Sequence, residues 1–189
     1  PVARKKIIET IFLADQYRKA TGENTAVVVT HPNIDDPDYF NQCVIFANNL
    51  DVPLSYLGDS LKLISNNEKE WTLWEVLDSM ASETVNSVGM VLSSKGAFEN
   101  AVIEKIRAGI PIVLNNKLPS YNILKNMNID VLGVDLRILT DYTEAYSPAI
   151  LSYINPYDDE IYNIINWIDE HIHNRNIRQE KVTKNYKQG

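Results

Sequence analysis

Residues 93–116 read SSKGAFENAVIEKIRAGIPIVLNN. A glycine, an amphipathic run, a second glycine and a proline-led apolar stretch follow one another in that order. Gly96 permits a tight turn, or close approach of a ligand to the backbone. A helix that begins just beyond it leaves the amides of its first turn without intrahelical acceptors. The amides around Phe98, Glu99 and Asn100 are therefore candidates to face an anion such as a phosphate. The plainer alternative is that Gly96 only makes a turn and Glu99 only complements the helix dipole.

Such a site needs a strand before the turn and a helix after it, at the edge where strand C-termini meet helix N-termini. The chain supplies that alternation. Residues 5–20 carry Ile7, Ile8, Ile11, Phe12 and Tyr17 at helical spacing, and Gly22 follows as a stop. TAVVVT at 25–30 is a β-branched run of the kind buried in a parallel sheet, and the strand ends near His31. Asp36 or Asp38 can cap a helix that runs to Leu50, and VPLSYLG supplies a second strand. Helices are expected at 72–80, 99–108 and near Tyr121, and strands at 87–92, 112–114 and 130–134. DDEIYNIINWIDEHI has Ile161, Ile164, Ile165, Trp167 and Ile168 on one side and should pack on the sheet as a terminal helix. The expectation is an α/β fold: a Rossmann-like three-layer sandwich with a parallel sheet and helices on both faces, a single domain over residues 1–189.

Composition narrows the function classes. The 189 residues include 44% hydrophobic ones, enough for a substantial core, and the net charge of −7 comes from dispersed carboxylates. No basic stripe marks a nucleic-acid surface. Cys43 is the single cysteine and has no intrachain disulfide partner, which favours a reducing, cytoplasmic setting. No apolar run approaches the roughly twenty residues that cross a bilayer. The chain begins at Pro1 and ends in KVTKNYKQG, so it is expected to be a domain of something larger.

FENAVIEKIRAGIPIVLNN resembles a segment of the retaining, nucleotide-sugar-dependent glycosyltransferases of the two-domain GT-B type, family 4. There a Glu-Gly-Phe-Gly turn leads to a second glutamate and then to Ala-x-x-x-Gly-x-Pro-Val-Val. Phe98, Asn100, Glu104, Gly109 and Pro111 keep that register. The resemblance implies that this chain is the C-terminal, donor-binding half, with an acceptor-binding N-terminal half as its partner. It implies hexosyl transfer with retention from a nucleotide-sugar donor, no obligatory metal, no cofactor, and little activity in the isolated domain. Glu104 takes the place of the glutamate that accepts hydrogen bonds from the donor ribose. PVARKKIIETIFLADQY is similar to the family's first strand end and helix, where an Arg and a Lys-Gly hold the diphosphate. Lys5 takes the Lys position, Lys6 replaces the glycine, and Arg4 is a local substitute for the Arg. Leu57 and Gly58 fall where the family's chain meets the nucleotide base.

The sequence also departs from that pattern. Gly96 stands where the family has its first, sugar-binding glutamate, and Ala97 and Glu99 replace glycines. The alternative function is therefore a non-catalytic nucleotide- or sugar-binding module with an altered donor motif.

Other chemistry-bearing residues have simpler readings. Asp36 and Asp38 suit capping better than a metal clamp. His171 and His173 lie two apart at a helix end, where they point to different sides and meet the dipole. His31 follows a buried strand and is a candidate for the ligand edge, with a turn histidine as the alternative. Trp71 and Trp74 read as part of a helix covering the sheet.

Overall fold

The computed structural model of the chain describes residues 5–30, 34–56, 86–96, 100–145 and 159–173. It opens with helix α1 (Ile7–Thr21), whose Ile7, Ile11, Phe12, Leu13 and Tyr17 are buried. The helix stops at Gly22, which takes φ 76° and returns its amide to the Arg18 carbonyl at 2.9 Å. Strand β1 (Val27–Val29) pairs in parallel with β2 (Leu54–Tyr56), Val27 lying opposite Leu54. Between them runs α2 (Pro37–Asn49), with proline at its first position and Asp36 as its cap. The Asp36 carboxylate accepts from the Tyr39 amide at 3.0 Å, so this DPD triplet starts a helix.

The second sheet has the order β3-β4-β5 and is also parallel. Its strands are β3 (Gly89–Val91), β4 (Ile112–Asn115) and β5 (Leu132–Val134), joined by helices α3 (Asn100–Arg107) and α4 (Pro119–Asn126). Side-chain alternation along these strands sorts them into two packing sets. Val91, Ile112 and Leu114 join Val102 and Ile106 of α3 and Leu124 of α4. Leu92, Val113 and Val134 join Phe12 and Leu13 of α1 and the buried isoleucines of the last helix. Strand β4 is buried at all four positions, which is why IVLN reads as an unbroken apolar run until its final residue. Burial of each such side chain is worth roughly 1.5–3 kcal/mol. At Gly89 the approach is closest: a Cβ there would collide with the aliphatic stem of Lys105.

Beyond β5 come α5 (Leu136–Ala145) and α6 (Asp159–His173). Ile161, Ile164, Ile165, Ile168 and Ile172 of α6 are buried against the sheet set of Val113 and Val134, as the helical spacing predicts. Helix α5 is absent from the sequence expectation. It is built on Leu136 and Leu139, both buried, with Tyr142 stacked on Phe12 at 5.7 Å. A third apolar set, including Ile11, Val27, Tyr39, Cys43, Leu50 and Val52, lies around β1 and α2, and Phe46 touches both this set and the one beneath β5. The described residues thus form a mixed α/β fold with six helices and two small parallel sheets. The helix expected at 72–80, with Trp71 and Trp74, lies outside them. No described helix is long and apolar enough to cross a membrane.

Candidate functional site

Because β3, β4 and β5 are parallel, the loops that follow them leave from one edge. Two hydrogen bonds tie those loops together, and a third closes a turn within the loop after β4. The Asn115 Nδ2 group donates to the Ser93 carbonyl at 2.9 Å, and the Asn115 Oδ1 accepts from the Lys117 amide at 2.9 Å. The Asn116 amide donates to the Val134 carbonyl, also at 2.9 Å. Asn115 is only 3% exposed, so both of its polar ends are spent inside the protein.

Charge at this edge is mixed but locally basic for a chain of net charge −7. Lys95 stands exposed after β3, and Lys117 follows β4. At the end of β5, Asp135 accepts from the Arg137 amide at 3.0 Å and from its guanidinium at 2.7 Å. These bonds, with a smaller contribution from the Lys117 charge, hold the Asp135 carboxyl at about 2.

Helix α3 starts at this edge with Asn100, which is exposed, as is Gly96 before it. Val102, Lys105 and Ile106 form its packed side. Glu104 is two residues from both Val102 and Ile106, so it lies on the opposite side, four residues from Asn100 and in line with it. It is half-buried, and among the described residues its carboxylate has no hydrogen-bond or ion-pair partner. A carboxylate offers acceptors only, so a ligand that meets it must bring donors such as hydroxyl groups.

The start of α1 comes to the same end of the sheet. Lys6 Nζ lies 2.9 Å from Glu9 Oε1 and 3.2 Å from Thr140 Oγ1, and Thr140 is in the second turn of α5, which begins just past β5. Thr140 also donates to Glu9 at 3.0 Å, leaving that carboxylate 4% exposed and doubly held. Lys6 itself adopts φ 56° and ψ 48°, the left-handed conformation glycine takes without cost. Lys5, beside it, is half-buried.

One first-turn amide of α1 is already taken: the Ile7 amide donates to the Tyr39 hydroxyl at 3.0 Å. Burial, followed by the neighbouring Cys43, keeps the Tyr39 phenol protonated well above its ordinary range.

The structure thus brings Gly96, Asn100 and Glu104 to one strand edge, and sets the Lys5–Lys6 turn at the same end through Thr140. Arg4, His31, Leu57, Gly58, Ala97, Phe98 and Glu99 lie outside the described residues. Sequence reasoning missed Ser93, Asn115 and Lys117. The signal for Asn115 and Lys117 was the polar triplet NNK, whose first residue ends a buried strand. It also missed two buried atoms without partners among the described residues, Asn116 Oδ1 and Ser120 Oγ, in the loop before α4 and in its first turn.

An open cavity of about 430 Å3, lined by Thr21, Glu23, Asn166, Asp169 and His173 among others, lies elsewhere. It sits at the C-terminal end of the 15-residue α1, roughly 22 Å from Lys6, and touches no strand end. His171 and His173 occupy the last turn of α6: His171 Nε2 contacts Asp130 at 2.7 Å and His173 Nε2 contacts Asp169 at 3.3 Å. Among the described residues no three His, Cys, Asp or Glu side chains converge in a way that would hold a metal ion. Comparison with protein-family models, curated proteins and solved structures finds no match to this chain.

Proposed function

We propose that this chain is the donor-binding domain of a retaining, nucleotide-sugar-dependent hexosyltransferase of GT-B architecture, with its helices and strands completing a Rossmann-like three-layer sandwich. The observation that carries the reading is Glu104. A half-buried carboxylate with no partner among the described residues stands on the outward side of a helix that follows the C-terminal edge of a parallel sheet. In this reading the ribose hydroxyls donate to Glu104, and the diphosphate lies toward Asn100 at the near end of α3. Lys5 and Arg4 offset the charge that grows on the departing nucleoside diphosphate, an electrostatic contribution made in the transition state. The acceptor is held by a separate N-terminal half, so the donor-binding half alone binds but transfers little. The left-handed Lys6, at the family's glycine position, supports the same register.

The test is calorimetric titration of the chain with uridine and guanosine diphosphate, before and after Glu104→Ala. Saturable binding that weakens about tenfold in the variant supports the reading, since a charge-assisted hydrogen bond contributes about 1.5–3 kcal/mol. Equal affinity in both proteins removes Glu104 from the site.

A second reading is favoured by two specific features. Gly96 supplies no carboxylate to a donor sugar, and Tyr39 already satisfies the first amide of α1. Both fit a module that binds the nucleotide without turning over a sugar. Donor consumption by the full-length protein separates the two readings: release of nucleoside diphosphate in the presence of acceptor supports the enzyme, and binding without release supports the module.

A further inference from the structure

We infer that Asn115 is a positioning residue for the strand-edge site, an inference that rests on the nucleotide-binding reading above. Its carboxamide joins the loop after β3 to the loop after β4. The Nδ2 group holds the Ser93 carbonyl at 2.9 Å, and the Oδ1 atom holds the Lys117 amide at the same distance. Ser93 is 1% exposed, so this bond anchors the inner end of the turn that leads through Lys95 and Gly96 to α3. Beyond Ser93 the turn is exposed at Ser94, Lys95 and Gly96. The described part of this turn is therefore held at its buried end. Lys117 is set by the other half of the same carboxamide, and Asn116 ties that loop on to Val134.

A buried asparagine that satisfies two backbone groups from different loops costs side-chain desolvation that an apolar residue at the end of IVLN would not. What it supplies is a fixed distance between the two loops. Ligand contacts at the β3 turn and the placement of Lys117 are then coupled, and tightening one loop tightens the other. Asn115 touches neither reacting atoms nor ligand in this account.

The probe is uridine diphosphate, titrated calorimetrically into the wild-type chain and into Asn115→Asp. Aspartate keeps an acceptor for the Lys117 amide but sets an oxygen against the Ser93 carbonyl. At neutral pH the dissociation constant should rise about tenfold with one site per folded molecule retained. Lowering the pH until the aspartic acid is protonated restores an O–H donor toward Ser93, and affinity should recover relative to wild type at the same pH. A purely structural role predicts another pattern: fewer competent molecules, each with the wild-type dissociation constant, and that result overturns the inference.

Hydrogen exchange on the unaltered wild-type chain supplies a test that does not depend on the variant folding. On adding uridine diphosphate, amides at 94–96 and at Lys117 should slow together. Slowing at one loop without the other contradicts the coupling. A wild-type chain that binds no nucleoside diphosphate at all defeats the nucleotide-binding reading first, and this inference with it. Binding by wild type with no effect in Asn115→Asp defeats only the role of Asn115.

Discussion

The Tyr39 hydroxyl accepts a hydrogen bond from the Ile7 amide at 3.0 Å, so a side chain of α2 closes the first donor of α1. The bond is buried and spans 32 positions of sequence. It fixes the angle between the two helices where the Lys5–Lys6 turn enters α1. Tyr39→Phe retains the ring and leaves the amide without an acceptor. The variant should lose about 1–2 kcal/mol of stability, measured as a lower urea midpoint at unchanged slope. An unshifted midpoint would show that the amide finds another partner at no cost.

Lys6 carries two opposed contributions. Its left-handed backbone costs about 1 kcal/mol relative to glycine, while its ammonium pairs with the buried Glu9 at 2.9 Å. Lys6→Ala loses the pair and keeps the strain, whereas Lys6→Gly loses the pair and relieves it. Glycine should therefore be the more stable of the two variants by about 1 kcal/mol, read from paired denaturation curves. Alanine equal to glycine would argue that this turn is not held left-handed in solution.

Cys43 is fully buried, and that burial pushes its thiol up to about 11. At pH 8 the native protein should react with a thiol reagent far more slowly than the denatured chain, because both access and thiolate are lacking. Stoichiometric, rapid modification of the native protein would place Cys43 at the surface.

The pH dependence of Asp135 has a definite sign. Its carboxyl sits at about 2, below its ordinary value of 3.8, chiefly because Arg137 donates to it. The folded state therefore prefers the ionised form, and the resulting stability is complete above about pH 4 and fades as the pH falls toward 2. Arg137→Ala should remove that part, so its denaturation curve should lie below wild type at pH 6 and merge with it near pH 2. A gap that stays constant across the range would mean the pair does not set the difference. Arg137 is largely exposed, so the gap should shrink in added salt.

Much of the fold was legible because local signals agreed. Gly22 stops α1, Asp36 caps α2, and the apolar IVLN run is the central strand of the three-stranded sheet. Helix α5 was missed although its signal was present: Asp135 stands before Leu136, Leu139 and Tyr142 at helical spacing, close behind a strand only three residues long. Gly96, Asn100 and Glu104 could be singled out from the sequence because they lie close together along it, and the structure sets Gly96 after β3 and the other two on α3. What stayed hidden depends on contacts far apart in the chain. Nothing near Ile7 announces that Tyr39 takes its amide, and nothing in NNK reveals that Asn115 reaches back 22 positions to Ser93. The left-handed turn at Lys6 was hidden for another reason, since lysine is not a residue that signals that conformation.

The account turns on whether Glu104 meets a ribose, and a thermodynamic cycle tests that contact most directly. Uridine diphosphate and its 2′,3′-dideoxy form are titrated into wild type and into Glu104→Ala. If the ribose hydroxyls donate to Glu104, removing either partner weakens binding about tenfold, and removing both weakens it little further. If the two losses instead multiply, or if neither change alters affinity, Glu104 and the ribose do not touch and the proposed site is wrong.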